Sequence, residues 1–145
     1  MHYEEITIDH LDKLASLYVE TFNSEPWNDG WTICTATKRL HQMIYTEDSY
    51  GLCVYQDGVI CGAILGCMEQ FYNGTIFNIR EFWVKNSLRG QGIGTQIFLE
   101  CEKRLKDRQV GTIILFTSKG DFTEHFYYKQ NMKLNPQMVF MEKKL

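Results

Sequence analysis

A glycine-rich turn is the part of this chain whose residue types and spacing point most directly to chemistry. It runs from Arg89 to Thr95 and reads Arg-Gly-Gln-Gly-Ile-Gly-Thr. A strand-like run (Thr75 to Val84) precedes it, and a helix-like run (Gln96 to Lys106) follows it. Glycines let a ligand approach the backbone, and the N–H groups and dipole at a helix N-terminus favour negative charge. The pattern therefore predicts an anion-binding site.

The turn does not match the common nucleotide-binding motifs. Its Gly-x-Gly-x-Gly spacing differs from the dinucleotide pattern Gly-x-Gly-x-x-Gly. A P-loop would end in Lys-Ser or Lys-Thr, whereas Gly94 is followed by Thr95 and Gln96. Nucleotide hydrolysis is therefore disfavoured, although a nucleotide-binding α/β domain of another kind stays open.

A second chemistry-bearing stretch is the loop from Glu25 to Trp31. Trp27 and Trp31 can stack on a ligand or form cation–π contacts, and the carboxylates of Glu25 and Asp29 can bind ammonium groups. This composition suits a cationic amine. The alternative is that the tryptophans pack the loop against the core and the carboxylates are solvated.

Cysteines and histidines give little support for a metal site. The five cysteines contain no C-x-x-C pair, and the four histidines contain no H-x-x-x-H spacing. We expect no metal, and we expect reduced thiols in the cytoplasm, because the cysteine count is odd and no targeting peptide opens the chain. A cysteine nucleophile paired with a histidine base is the alternative to buried, inert thiols.

Length and charge restrict the class of protein. A chain of 145 residues predicts a single domain, residues 1–145. The net charge of -3 argues against nucleic-acid binding and suits a cationic substrate. No apolar run approaches the roughly 20 residues of a membrane span, so we expect no membrane partner. Monomer and homodimer both stay open.

The hydrophobic pattern predicts a mixed α/β order of elements. Asp-Gly and Asn-Gly pairs mark hairpin turns at 56–58 and 72–74, and Asp9 and Thr35 are the expected caps of two early helices. The central strand is apolar on both faces, which predicts a sheet covered on both sides. The expected strands are Tyr3–Ile8, Gly51–Tyr55, Val59–Phe71, Thr75–Val84, Thr112–Thr117 (buried) and Met138–Glu142; the expected helices are Asp9–Thr21, one following Thr35, Gln96–Lys106 and Phe122–Gln130.

Together these features resemble a known family. The stretch Glu81–Thr95, with Arg89-Gly90-Gln91-Gly92-Ile93-Gly94, is similar to the acetyl-CoA-binding motif Arg/Gln-x-x-Gly-x-Gly/Ala of the GNAT superfamily of N-acetyltransferases. The order of elements also resembles that family over nearly the whole chain. The resemblance implies a mostly antiparallel mixed sheet of about six to seven strands with about four helices, in which splayed parallel strands hold the cofactor.

The resemblance also implies residues that bind acetyl-CoA. The glycine turn would hold the pyrophosphate, and the backbone of Phe82 and Val84 would pair with the pantetheine arm. The Val84 amide would lie near the thioester carbonyl, where it can stabilise an oxyanion. The implied cofactor-binding residues are Phe82, Trp83, Val84, Leu88, Arg89, Gly90, Gln91, Gly92, Ile93, Gly94 and Thr95.

Two side chains are candidates for proton transfer. Glu81 lies on the nominal face of Phe77, Ile79 and Trp83, where apolar neighbours would raise its pKa and make it a general base. The alternatives are a structural role for Glu81, paired with an arginine or with backbone N–H groups, and a water chain as the base. Asn78, near the position of the carboxylate that some relatives use, cannot accept a proton.

The candidate acid lies near the C-terminus. The segment from Phe126 to Met132 resembles the family's Phe-Tyr-x-Lys-x-Gly-Phe, which makes Tyr127 the acid toward the departing thiolate and Tyr128 the second choice. Asn131 replaces the usual glycine, and asparagine tolerates the left-handed conformation expected there. Core packing of Tyr127 is the alternative.

The sequence thus predicts an N-acetyltransferase that acts by direct attack in a ternary complex. The acceptor would be a primary amine of a small cationic molecule such as an aminoglycoside, a polyamine or a peptide. The rival hypothesis is an acyl-CoA-binding sensor or interaction module with little catalytic activity.

Overall fold

The computed structural model describes residues 1–145 and contains five strands and four α-helices. The mixed α/β fold predicted from the sequence is confirmed, with five strands where about six to seven were expected. None of the helices combines the length and apolar character that a membrane span requires. In chain order the elements are β1 (His2–Glu5), α1 (Leu11–Phe22), α2 (Ile33–Ile44), β2 (Ser49–Gln56), β3 (Val59–Phe71), β4 (Gly74–Val84), α3 (Ile93–Asp107), β5 (Val110–Ile114) and α4 (Thr123–Lys129).

The chain forms two compact units. The first, Met1–Ile114, holds the whole sheet and three of the α-helices, and the second, Leu115–Leu145, holds α4. Within the second unit, the rings of Phe116 and Phe140 stack with their centroids 4.7 Å apart. The expected strand Met138–Glu142 is wrong, because these residues adopt no regular secondary structure and pair with no strand. One domain over residues 1–145 stays a prediction.

The sheet has the order β1-β2-β3-β4-β5, with antiparallel pairs up to β4 and a parallel pair between β4 and β5. Parallel pairing ends at Asn78 and Ile114, whereas β4 continues to Val84. Both predicted hairpin turns are present. The expected buried strand Thr112–Thr117 is instead Val110–Ile114, and it is partly exposed because this edge strand has a partner on one side only.

A β-bulge at Arg80 changes the faces of the central strand. The register passes from Leu65–Glu81 to Gly66–Ile79, so Arg80 is an extra residue with no opposite partner. A one-residue shift moves every later side chain to the other face. Glu81 therefore shares a face with Trp83 but not with Phe77 and Ile79, and the predicted common face of all four is wrong.

Helices cover both faces of the sheet, as the apolar central strand predicted. Trp83 belongs to the core formed with α1 and α2, which includes Leu14, Leu40 and Leu65. On the opposite face Phe82 meets Phe98 of α3, with ring centroids 6.5 Å apart. The sheet is therefore sandwiched between the N-terminal helix pair and α3.

The two N-terminal helices are capped differently from the prediction. Thr32 is the N-cap of α2, and its Oγ1 accepts a hydrogen bond of 3.0 Å from the N–H of Thr35. Thr35 is the partner in this capping box rather than the cap itself. A 3-10 turn begins at Ile8 after its N-cap Thr7 and leads into α1, so Asp9 is not the cap either. These starts set which side chains of α1 and α2 reach the sheet.

Candidate active site

The glycine turn adopts the backbone conformation that requires glycine. Gly90 and Gly92 have φ angles of 74° and 79°, in the left-handed region, and Gly92 is the N-cap of α3. A Cβ atom built on either residue meets nothing within 4 Å. A ligand can therefore approach the backbone here, since the space above these two residues is open.

The N-terminus of α3 supplies hydrogen-bond donors to this open space. Helix geometry leaves the N–H groups of Ile93 and Gly94 without an intrahelical acceptor. Gln96 donates to the Gly92 carbonyl at 3.1 Å, which fixes the first turn of a 15-residue helix. Donors, helix dipole and open backbone together fit an anionic group such as a pyrophosphate.

The end of β4 directs backbone groups toward the gap beside the sheet. Lys85 donates its N–H to the Cys61 carbonyl at 2.7 Å, on the β3 side. Because backbone groups alternate along a strand, those of Val84 and Phe82 point to the opposite edge, beyond the last pair with β5. This direction suits an extended arm that pairs with β4. Trp83 is buried, and its indole N–H has no hydrogen-bond partner.

Arg89 joins the glycine turn to the loop that contains both tryptophans. One guanidinium nitrogen of Arg89 donates to the Glu25 carbonyl at 2.8 Å, and another donates to Asn86 Oδ1. The guanidinium carbon lies 4.8 Å from the centroid of the Trp27 ring, a cation–π contact. Burial lowers the pKa of Arg89, although an arginine keeps its charge at neutral pH. Contacts with the tryptophan-containing loop therefore fix the Arg89 guanidinium beside the glycine turn.

The tryptophans of this loop contact α1. Trp27 packs edge-on against Phe22, with ring centroids 4.9 Å apart, and Trp31 packs edge-on against Tyr18 at 5.1 Å. The indole N–H of Trp31 donates to Asp29 Oδ2 at 3.0 Å. The packing alternative therefore describes both tryptophans in this structure. Binding of an acceptor by Glu25, Trp27, Asp29 and Trp31 stays a prediction, and both carboxylates are on exposed residues.

Glu81 lies in a buried polar cluster. Only 8% of the residue is exposed, and Arg39 of α2 donates its Nε–H to Glu81 Oε1. Burial raises the pKa of Glu81, while the guanidinium of Arg39 opposes that rise. Tyr18 of α1 interacts electrostatically with both groups, and burial raises the pKa of its hydroxyl. The ion pair with an arginine is therefore present, and the role of Glu81 as general base stays a prediction.

Sequence reasoning missed Arg39. It lies within the helical pattern, three residues after buried Ala36 and next to buried Leu40. An arginine at the border of an apolar stripe was the available signal, because such a residue needs a carboxylate partner when its side chain is partly buried. The identity of that partner depends on how α2 crosses the sheet, which spacing alone does not give.

The candidate acid lies on α4, in the second compact unit. Tyr127 is half-buried, and its ring meets that of Phe126 at 5.1 Å. The Tyr128 hydroxyl donates to Glu124 Oε1 at 2.6 Å, and this bond raises the pKa of Tyr128. Asn131 has a φ of 62°, which confirms the left-handed conformation expected after the helix. The acid role of Tyr127 stays a prediction.

All five cysteines are free thiols, four of them buried. Burial raises the pKa of Cys53 to about 11 and that of Cys101 to about 12, so these thiols are protonated at neutral pH. A nucleophilic thiolate is therefore disfavoured at both positions.

One group of side chains has metal-ligand chemistry. Glu4, His10 and Cys53 offer ligand atoms within 4.8 Å of one another. However, His10 Nδ1 accepts the N–H of Thr7 at 3.0 Å, which places the ring proton on Nε2, 3.0 Å from Glu4 Oε2. A metal would need the lone pair that this proton occupies, so the hydrogen bonds disfavour coordination.

Comparison with known proteins agrees with this architecture. Three similar solved structures are a possible acetyltransferase from Clostridium difficile 630 (TM-score 0.82, 17% identity, 99% of this chain and 97% of that chain covered), an aminoglycoside acetyltransferase from an uncultured soil metagenomic sample (0.76, 15%, 99% and 95%) and an aminoglycoside 6'-N-acetyltransferase from Acinetobacter haemolyticus (0.74, 14%, 100% and 99%). At these identities the likeness shows the fold alone. A search of curated protein sequences found no match.

A match to a protein-family model identifies the family of this chain, which structural likeness alone does not. The model described as the acetyltransferase (GNAT) family matches residues 11–132, from the start of α1 to just beyond α4. This span includes the glycine turn, the loop with both tryptophans, Glu81 and Tyr127. The chain therefore belongs to the acetyltransferase (GNAT) family, whose members generally use acetyl-CoA.

Proposed function

We propose that this protein transfers an acetyl group from acetyl-CoA to the primary amine of a small cationic acceptor, by direct attack in a ternary complex. The observation that carries the proposal is the glycine turn. Gly90 and Gly92 hold positive φ angles over open space at the N-terminus of α3, within a chain of this family. The N–H groups of Ile93 and Gly94 at this N-terminus have no intrahelical acceptor, and an anionic pyrophosphate can accept from them.

The residues for acetyl-CoA follow the path from the turn to β4. Backbone groups between Leu88 and Thr95 hold the pyrophosphate, and those of Phe82 and Val84, which point past the end of β5 pairing, bind the pantetheine arm. Arg89 adds positive charge beside the turn. When bound, acetyl-CoA supplies the acetyl group and a thiolate leaving group, and the Val84 amide faces the side on which an oxyanion would form.

Exposed acidic residues support a cationic acceptor. Glu25 and Asp29 lie in the loop that Arg89 joins to the glycine turn, and the chain carries a net charge of -3. Two of the similar solved structures are aminoglycoside acetyltransferases. Aminoglycosides are cationic amines, so they belong to the proposed class of acceptor. Aminoglycosides, polyamines and peptide amines are the acceptors to test.

The two proton transfers of the proposed reaction give a role to Glu81 and to Tyr127. As the amine nitrogen bonds to the acetyl carbon, it loses a proton to Glu81 or to water in contact with Glu81. As the carbon–sulfur bond breaks, the sulfur takes a proton from the Tyr127 hydroxyl. A carboxylate whose pKa is raised by burial is suited to the first role, because its basicity lies closer to neutral pH.

One observation favours a second function. The carboxylate of Glu81 is bound by Arg39, which lowers its tendency to accept a proton. The second function is an acyl-CoA-binding sensor or interaction module with little catalytic activity. The five reduced thiols support a cytoplasmic location for either function.

Thiol release from acetyl-CoA over a panel of amines separates the two functions. We expect release that depends on the amine and is largest with a polycationic acceptor. The matched control is N-acetylated acceptor, which offers no free amine at the same position. No release with any amine, together with micromolar affinity for coenzyme A, would establish the sensor instead.

A further inference from the structure

The ion pair between Arg39 and Glu81 joins a helix to the central strand of the sheet. Arg39 lies on α2 and Glu81 on β4, directly after the bulge at Arg80. The side chain of Glu81 is 9% exposed and that of Arg39 is 33% exposed. The carboxylate is thus enclosed, while the guanidinium reaches from the core to the surface.

The charged and titratable groups that act on Glu81 lie on α2, α1 and β4. Arg39 donates to it from α2, Tyr18 interacts with it electrostatically from α1, and Arg80 adds positive charge from β4 itself. Burial and the charge of Glu81 raise the pKa of Tyr18, so its hydroxyl stays a proton donor at neutral pH. Arg39 is therefore the strongest favourable partner of the ionised carboxylate.

Two opposing effects act on this carboxylate. Burial favours the protonated form, in which Glu81 cannot accept a proton, whereas Arg39 favours the ionised form. A hydrogen bond from a guanidinium nitrogen also fixes the orientation of the carboxylate, because the bond is directional. Without Arg39, the buried group would be protonated up to a higher pH and would be free to rotate.

We propose that Arg39 is a positioning residue that keeps the Glu81 carboxylate ionised and correctly oriented as the base. This inference rests on the proposed function, in which Glu81 or water in contact with it accepts the proton from the amine. It adds a residue from α2, which carries no assigned role, and it explains why a buried base is paired with an arginine.

The test is the pH dependence of kcat/KM for amine acetylation in four proteins: wild type, Arg39→Lys, Arg39→Gln and Lys38→Met. The acidic limb of this profile reports the base in the free enzyme. In Arg39→Gln we expect the limb to move to higher pH by at least about one unit, a tenfold change in the ionised fraction. Arg39→Lys keeps the charge and should restore most of the wild-type position.

Lys38→Met is the matched control. Lys38 is the exposed neighbour of Arg39 on α2, so this variant also removes one positive charge from the same helix. Its acidic limb should coincide with that of the wild type. A purely structural role of Arg39 would lower kcat/KM at all pH values without moving the limb.

A second measurement does not depend on catalysis. Carbon-13 NMR follows the chemical shift of the Glu81 carboxyl, which the Glu81→Gln variant assigns. This carboxyl should titrate at higher pH in Arg39→Gln than in the wild type. If turnover occurs but neither the limb nor this titration moves, the inference is wrong and the proposed function stands. If no amine is turned over, the proposed function fails and the positioning role fails with it, while the titration still shows whether Arg39 keeps the carboxylate ionised.

Discussion

The glycine turn (residues 89–95) contacts the tryptophan loop (residues 23–32) through Arg89, and the two segments differ in what they leave open to a ligand. The turn leaves its backbone open, with nothing within 4 Å of a Cβ placed on Gly90 or Gly92. The loop directs its aromatic side chains inward, where Trp27 and Trp31 pack against α1. A site that binds through the backbone is visible in sequence, whereas a site that binds through side chains depends on contacts made after folding.

The largest expected effect comes from closing the open turn. Gly92→Glu should lower the affinity for coenzyme A at least about 100-fold, equivalent to about 2.7 kcal/mol, because it adds a side chain at positive φ and a negative charge beside the pyrophosphate. Isothermal titration calorimetry measures this affinity. Gly58→Glu is the matched control, since Gly58 has a φ of 76° and open space around it in the β2–β3 turn. Equal affinity in Gly92→Glu and the wild type would disprove the pyrophosphate assignment.

Glu81, the proposed base, gives the next effect. Glu81→Gln should lower kcat about 100-fold and remove the acidic limb of the pH–rate profile. The direction of the pH dependence follows from the ionisation of Glu81. Burial raises its pKa, activity rises with pH as the carboxylate ionises, and an amide has no such step. Steady-state rates across the pH range provide the measurement, and an unaltered profile would transfer the role to water alone.

Tyr127 should influence chemistry more than binding. We expect Tyr127→Phe to lower kcat about tenfold, with coenzyme A affinity within about twofold of the wild type, because the ring is kept and the proton donor is lost. Tyr128→Phe is the matched control on the same helix, and its hydroxyl is bonded to Glu124. If Tyr128→Phe has the larger effect, the two tyrosines exchange roles. Wild-type rates in both variants would leave Tyr127 as a packing residue.

The smallest effect tests the link between the turn and the loop. Arg89→Met removes the cation–π contact with Trp27 and the hydrogen bond to Glu25, so we expect a loss of about 1 kcal/mol in the free energy of unfolding. Urea denaturation measures this change. Lys106→Met is the control, because the side chain of Lys106 is exposed and forms an i,i+4 ion pair with Glu102 at the surface. Equal losses in the two variants would mean that Arg89 does not secure the loop.

Much of the first unit could be predicted because local residues determine it. The Asp-Gly and Asn-Gly pairs placed both hairpin turns, and β3 has the predicted bounds Val59–Phe71. The glycines of the turn were informative for the same reason, because a positive φ angle is a property of the single residue that adopts it. The resemblance to the family motif added the prediction that this backbone binds acetyl-CoA.

Other features depend on partners distant in sequence. The bulge at Arg80 arises from the register with β3, and it changed the face on which Glu81 lies. Arg39 meets Glu81 only after α2 packs on the sheet, and the expected strand Met138–Glu142 found no partner strand. The neighbouring residues do not identify the partner in such pairing and packing.

The most direct test of the account is calorimetric titration of the wild-type protein with coenzyme A, NAD and ATP. We expect micromolar binding of coenzyme A, because the proposed sites of the pantetheine arm and the pyrophosphate lie along β4 and the glycine turn. NAD should bind at least about tenfold more weakly than coenzyme A, since it has a pyrophosphate but no pantetheine arm. ATP should bind at least about tenfold more weakly than coenzyme A, since it has phosphates but no pantetheine arm. Binding of NAD or ATP without binding of coenzyme A would contradict the central claim.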